Sequence, residues 1–521
     1  MPALRSLCLL LLVSLGAAPA RAQDYGETDF PNSGAPEAQG AFLRGLLMLH
    51  SFEYEDAREA FQEARRLDPT FAMAYWGEAM THNHPIWQEQ DRDAALEALG
   101  RLAPTPEERY AKAPTDREKD YLWTLDVLFG EGSKEARDFA YADALAELAN
   151  AYPDDLDAAA FYALAILGTA HDGRDFATYM QAAAVAEEVF AANPRHPGAA
   201  HYLIHAYDDP VHAPLGLRPA RVYDAIAPAA SHALHMPSHI YFALGMWDDG
   251  AAMNVRSFEA AKARTDAHGE PLNGHGWHAL LWLQYAELQR ARHAEAARLL
   301  ALAEALAEEN PRRAALPLLM RAQHLAVTED WDGATARSEP ALPNGGLETA
   351  AQALFTYGWA ALERGERATA EAALADLLRR VEGEDAPPGS AQVALLQLDA
   401  LLALADGDED DALDLLQEAA AVEDAMPLDF GPAVPVKPAH ELLGDVLLRL
   451  GRPELAMGHY EDALARYPRR SRALLGLARA AAAADDPDTA QRVYAELAEI
   501  WRDADADSAA LAEVRLHAGA P

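Results

Sequence analysis

Apolar and polar positions along this 521-residue chain recur with the period of a helix rather than a strand. Alanine, leucine, glutamate and arginine fill long stretches, and runs of β-branched residues are scarce, so the pattern predicts an all-α fold. Clusters of Pro, Gly and Asp punctuate these stretches at short intervals. Pro153 and Pro194 each precede a new helical segment, and Gly245, Gly365, Gly407 and Gly451 sit where one helix should turn into the next. Less regular segments interrupt the pattern. Residues 103–120 read as a charged connector, 338–346 as a boundary, and 382–390 and 425–438 as Pro-rich loops.

The helical segments repeat. Ala490 and Tyr494 follow Ala456 and Tyr460 at the same offset of 34 residues; Gly444 lies twelve before Ala456, and Pro468 closes the unit. Gly45, Ala57, Phe61, Ala64 and Pro69 reproduce the same order of small, small, aromatic, small and proline near the N-terminus. Weaker copies lie between. This grammar resembles the tetratricopeptide repeat family. The resemblance implies a right-handed α-solenoid of stacked antiparallel helix pairs, with small residues where helices cross and a concave face lined by the first helix of each pair. One hairpin cannot bury its own apolar face, so hairpins stack and share a core. A period of 34 over the length of the chain gives roughly nine to eleven of them.

Met1 to Ala22 carries an early Arg5, an apolar run from Leu7 to Leu15 and the small-x-small ending Ala20-Arg21-Ala22. That is the pattern of a cleavable signal peptide, with cleavage expected after Ala22 and a periplasmic or secreted destination. The run is too short to span a bilayer, so no membrane insertion is expected once it is removed. It also contains Cys8, the sole cysteine, which leaves the mature chain without thiol ligands or disulfides. The organisation expected is a signal peptide at 1–22, an N-terminal array at 23–335 and a C-terminal array at 336–521. A formal net charge of −40 disfavours nucleic acid and anionic lipid, and suits metal cations or basic partners.

Candidate chemistry is concentrated in one window. Ten of the nineteen histidines fall between His196 and His278. His201 and His205 stand four apart, one turn of a helix, which suits a shared metal ion, and Asp208 and Asp209 follow where the helix should end at Pro210. His235 and His239 repeat the spacing, with Pro237 suited to the first turn of a helix. The two pairs are 34 residues apart, one repeat, so His201, His205, His235 and His239 could converge with Asp208 on a divalent zinc, copper or nickel ion. The intervening 212–230 segment, however, reads as extra loop. Histidines lining a polar groove without metal are the alternative. Tyr202 occupies the place where a zincin needs glutamate, which disfavours that chemistry.

A second cluster holds Trp76, His82, His84 and Trp87, readable as a stacking platform or as interhelix core. His275 and His278 form a third. No phosphate loop, nucleophile elbow or dinucleotide fingerprint is present. The leading expectation is a non-catalytic exported scaffold binding a protein, peptide or small ligand on its concave face. The alternative is a metal-binding protein or metal-dependent hydrolase, in which Asp208 or Asp209 would serve as base.

Overall fold

The computed structural model describes residues 25–342, 346–505 and 508–518. The leader expected at 1–22 lies outside them. The described chain is a succession of packed helix pairs, from Pro36–His50 packed on Tyr54–Leu67 through to Ala509–His517. The all-α solenoid is therefore the fold. Strand among the described residues is limited to Asn83–His84 and Glu89–Gln90, paired antiparallel with Asn83 opposite Gln90. No helix among the described residues is long and apolar enough to cross a membrane.

The repeat positions do the packing that their sizes dictate. Phe61 is fully buried, and its ring fills the space where a Cβ would stand on Gly45 in the preceding helix and on Gly77 in the following one. Tyr460 is fully buried in the same way between Gly444 and Gly476. In each case one aromatic is clamped between two helices that lack side chains at the crossing. Ala57, Ala64, Ala456 and Ala463 complete these contacts.

Helix starts follow local chemistry. The segment 103–120, expected as a connector, is instead two helix starts: Pro106–Lys112 capped by Thr105 and Asp116–Leu128 capped by Thr115. Thr115 and Glu118 form a reciprocal capping box, which satisfies two backbone donors that a helix N-terminus leaves open. The expected loop after His212 is the helix Ala213–Ile226, which tolerates Pro219 within it. It is the second helix of its hairpin, so the 34-residue offset of the histidine pairs is undisturbed.

The superhelix closes on itself. Glu53, in the turn after the first helix, accepts hydrogen bonds from Ser231 Oγ and the His232 backbone N–H, each at 2.9 Å. Arg264 reaches Asp56 at 2.7 Å. Further on, Gln289 accepts from the Ser471 backbone at 3.0 Å, and Trp501 donates to the Gln289 carbonyl at 3.0 Å. The apolar core has two main bodies, one from Tyr25 to Tyr241 and one from Phe242 to Val514. The Pro-rich segment 427–438 is irregular, as its composition predicts. It does not run over the outside but reaches the histidines.

Candidate metal centre

His201 and His205 share the inner face of helix Pro197–Tyr207, which begins with Pro197 at its first turn and is capped by the His196 imidazole. His201 Nδ1 lies 2.7 Å from the carbonyl of His50, the last residue of the first helix. A terminal carbonyl has no partner within its own helix, so it takes the imidazole N–H and leaves Nε2 bare. His205 Nδ1 faces Asp208 Oδ2 at 3.5 Å. His232, on the short helix Ser231–His235, completes the group: one ring nitrogen from each of His201, His205 and His232 lies within 4.8 Å of the others. All three are at most 2 % exposed, and the Nε2 atom of each is buried without a hydrogen-bond partner.

His235, His239 and His278 form an adjacent group of the same size. His239 sits in the first turn of Pro237–Ala243 and His278 in Gly274–Gln289. His235 Nδ1 is 2.7 Å from Asn254 Oδ1, and His239 Nδ1 is 2.8 Å from Asp208 Oδ2. The His205 and His239 rings are 5.3 Å apart, so the two groups abut. Thus the two sequence pairs do not form one four-histidine set. Each recruits a third imidazole, His232 or His278, because the helix Ser231–His235 runs between them.

Asp208 belongs to neither histidine group but joins His205 and His239 in a third, overlapping one, whose ligand atoms also lie within 4.8 Å of one another. Arg174 pairs with Asp208 and with Asp209, the latter at 3.3 Å. Burial opposes its charge, but Arg174 and the two imidazoles outweigh burial and hold its carboxyl well below the usual range. An ionised, saturated carboxylate orients imidazoles and is unsuited to act as a general base. Asp209 accepts from the Val211 and His212 backbone N–H groups and faces the His212 ring, which ties it to the start of the next helix. Neither aspartate therefore fits the role of hydrolytic base.

Five of these imidazoles, His201, His232, His235, His239 and His278, are held neutral. Burial, then the neighbouring rings, pushes His201, His232 and His235 well below their ordinary value. Burial takes His239 down to about 4 against the opposing pull of Asp208, and takes His278 to about 3 with help from His239. Neutral imidazole is the metal-binding form. Aromatic rings seal the centre. Phe52 lies 4.2 Å from His201, Trp282 4.6 Å and Phe430 4.6 Å from His239, measured between ring centres. Gly431, at φ +97°, lets the loop press against Trp282, where a Cβ would stand 2.5 Å from the indole. Beside this loop is a cavity of about 510 Å³ lined by Trp87, Arg174, Tyr179, Phe430 and Tyr467.

The remaining residues singled out in the sequence divide. Trp76 is 1 % exposed and packs on Tyr121 and Phe161, so it is core and cannot meet a ligand. Trp87 is 39 % exposed at the rim, 5.9 Å from the His232 ring. His84 stacks on Tyr54 at 4.0 Å, and His82 is half-buried beside the short strand pair. His275 is 3.1 Å from the Phe52 carbonyl and 4.8 Å from the His232 ring, so it borders the first group. His232 was not singled out in the sequence, although its spacing of three and seven residues to His235 and His239 places it on the same helical face. Arg174, Asn254 and Phe430 come from distant segments and carry no local signal. A separate buried network, in which Asp157 meets His50 at 2.8 Å and His196 at 3.3 Å, is closed by Tyr202 and Thr28.

Residues 438–480 match the family model described as tetratricopeptide repeat. No curated protein matches the chain. Among solved structures, the APC/C hetero-tetramer Cut9-Hcn1 aligns over 94 % of this chain and 77 % of that chain, at 13 % identity and a TM-score of 0.34. The human IFIT1 dimer with PPP-AAAA aligns over 89 % and 90 %, at 13 % identity and a TM-score of 0.37. An IFIT1 monomeric mutant with Gppp-AAAA aligns over 87 % and 95 %, at 12 % identity and a TM-score of 0.40.

Proposed function

We propose that this chain is a metal-binding helical-repeat protein whose closed superhelix carries a transition-metal centre at His201, His205 and His232. The observation that carries this reading is three converging imidazoles whose buried Nε2 atoms have no partner. An unsatisfied buried acceptor costs about 1–3 kcal/mol, and a cation shared by all three would offset that cost. Nitrogen-only ligation without thiolate suits zinc, copper or nickel. Three protein ligands would leave a position for water or a small ligand. The orienting bonds from the His50 carbonyl and Asp208 are the outer contacts that metal-ligating histidines usually make. The test is the metal content of the tag-free chain before and after chelation. A transition metal retained by the parent and lost in His201→Ala is expected; no metal, even after reconstitution, would refute it.

The resemblance to tetratricopeptide repeats supports a second role, the binding of a protein or peptide partner. The buried histidines cannot line an open groove, so this role belongs elsewhere. A cavity of about 330 Å³ in the C-terminal array is lined by Trp331, Trp359, Leu442, Leu475 and Arg449, the last three within the matched repeat. Arg449→Glu, at an exposed position on that cavity, should weaken partner binding there without changing metal content. Export is part of the same proposal, supported by the leader-like sequence at 1–22. A mature chain beginning at Gln23, read by mass spectrometry from the native host, is the expected outcome.

A further inference from the structure

We propose that His235, His239 and His278 hold a second transition-metal ion, so that the two histidine groups form a paired-ion centre. The inference extends the metal reading above and rests on a different observation.

His235 Nε2 and His239 Nε2 face each other at 3.0 Å in a buried place. Such a contact is a hydrogen bond only if one of the two nitrogens carries a proton. The surroundings assign the protons elsewhere. Asn254 donates its amide N–H to the Gly250 carbonyl at 2.8 Å, which turns its oxygen toward His235 Nδ1. His235 must therefore carry its proton on Nδ1. Ser238 does not change this, since its hydroxyl donates to the His235 carbonyl at 2.6 Å. Asp208 is ionised against Arg174, so its oxygen accepts from His239 Nδ1, and that ring also carries its proton on Nδ1. Two neutral imidazoles of this tautomer aim two lone pairs at one another.

Protonating either ring would relieve the clash, but both lie in a pocket packed with other imidazoles and with Trp282 and Phe430. A metal cation relieves it without an imidazolium. Bound about 2.0–2.1 Å from each nitrogen, the ion would see the pair at close to a right angle, and His278 brings a third nitrogen within 4.8 Å. Asp208 couples this group to the first, since the same Oδ2 faces His239 at 2.8 Å and His205 at 3.5 Å. His232 and His235 extend the link through one short helix, with rings 6.0 Å apart.

The experiment counts ions. The full-length, tag-free chain is stripped with chelator, dialysed against Zn²⁺ and analysed for zinc per chain, with circular dichroism to establish folding. Two ions are expected in the parent. His278→Gln, at a partly exposed position, should keep one, and His232→Gln should keep the other. Copper loading gives an independent reading: paired Cu²⁺ ions should lose part of their electron paramagnetic resonance intensity per copper, and His278→Gln should restore it. One zinc in the parent, lost by both variants, would overturn the second ion while leaving the metal reading intact. No zinc at all would overturn both. The surface group His440, His459 and Asp462 and the buried group His50, Asp157 and His196 are competing sources of a second ion. If His459→Ala removes one zinc and His278→Gln removes none, the proposal fails.

Discussion

A histidine has two nitrogens, and what holds the first decides what the second can do. His201, His235 and His239 each have Nδ1 engaged, by a backbone carbonyl, an amide oxygen and a carboxylate respectively. That fixes the tautomer and points Nε2 inward. Asn254 is the simplest place to test this, because it is buried and touches only the second group. Asn254→Leu keeps the volume and removes the acceptor. Zinc affinity at the His235 group should fall about 10–100-fold, measured by competition with a chromophoric chelator. The His201 group should be unaffected, since its orienting partners lie elsewhere. At this scale the sequence was informative about which residues carry chemistry. It was silent about Arg174, whose role depends on two aspartates more than thirty residues away.

The elements are governed by small residues at crossings. At Gly476 a Cβ would stand 2.2 Å from the buried Tyr460 ring, which has no room to move. Gly476→Ala should therefore destabilise the C-terminal array by about 1–3 kcal/mol. Gly458, in helix Pro453–Arg466, is exposed with nothing within 4 Å. There the same substitution should stabilise, by up to about 1 kcal/mol, through helix propensity alone. Urea denaturation of both variants checks the opposite signs. The Gly, Ala and aromatic positions at 34-residue spacing were legible from the chain because they recur. Gly77 and Gly476 were not singled out, since the second crossing partner belongs to the next hairpin. Short helices such as Pro106–Lys112 escaped because their charge concealed a Thr cap.

At the scale of the molecule, ion-paired networks join distant repeats. Glu441 is buried between Arg470 and Lys437, and Arg470 also donates to Tyr285 across the array at 2.8 Å. Burial opposes the Glu441 charge, but the two cations prevail and hold its carboxyl down at about 2, from an ordinary 4.5. A carboxyl depressed in the folded state stabilises above its unfolded value and loses that contribution as pH falls. Glu441 should thus contribute fully above about pH 5, and progressively less between 4.5 and 2. Glu441→Gln should flatten the acid limb of a stability–pH curve in that window. Glu441→Ala should cost about 3–5 kcal/mol at neutral pH, by leaving the buried Arg470 without its carboxylate while Lys437 keeps only Asp445. Metal acts at the same scale. An ion bound only by the closed superhelix should raise the melting temperature, by the equivalent of about 2.7 kcal/mol at a hundred times its dissociation constant. Calorimetry with Zn²⁺ and with chelator checks this, and equal melting temperatures would count against the centre.

The sequence by itself determined the all-α repeat, the positions of the hairpins at both ends, and the window that holds the histidines. Each of these is a local pattern: a helical period, a recurring order of small and aromatic residues, a concentration of one side chain. Only the tertiary structure decided that the superhelix closes over the histidines, so that they lie buried and do not line an open groove. It also decided the grouping of the histidines, three and three, with Asp208 between them. Closure depends on the turn at Glu53 meeting Ser231, 178 residues later. Grouping depends on which helices that contact presses together. Both follow from long-range packing, where a small rotation per repeat accumulates over many hairpins and no single segment records the sum.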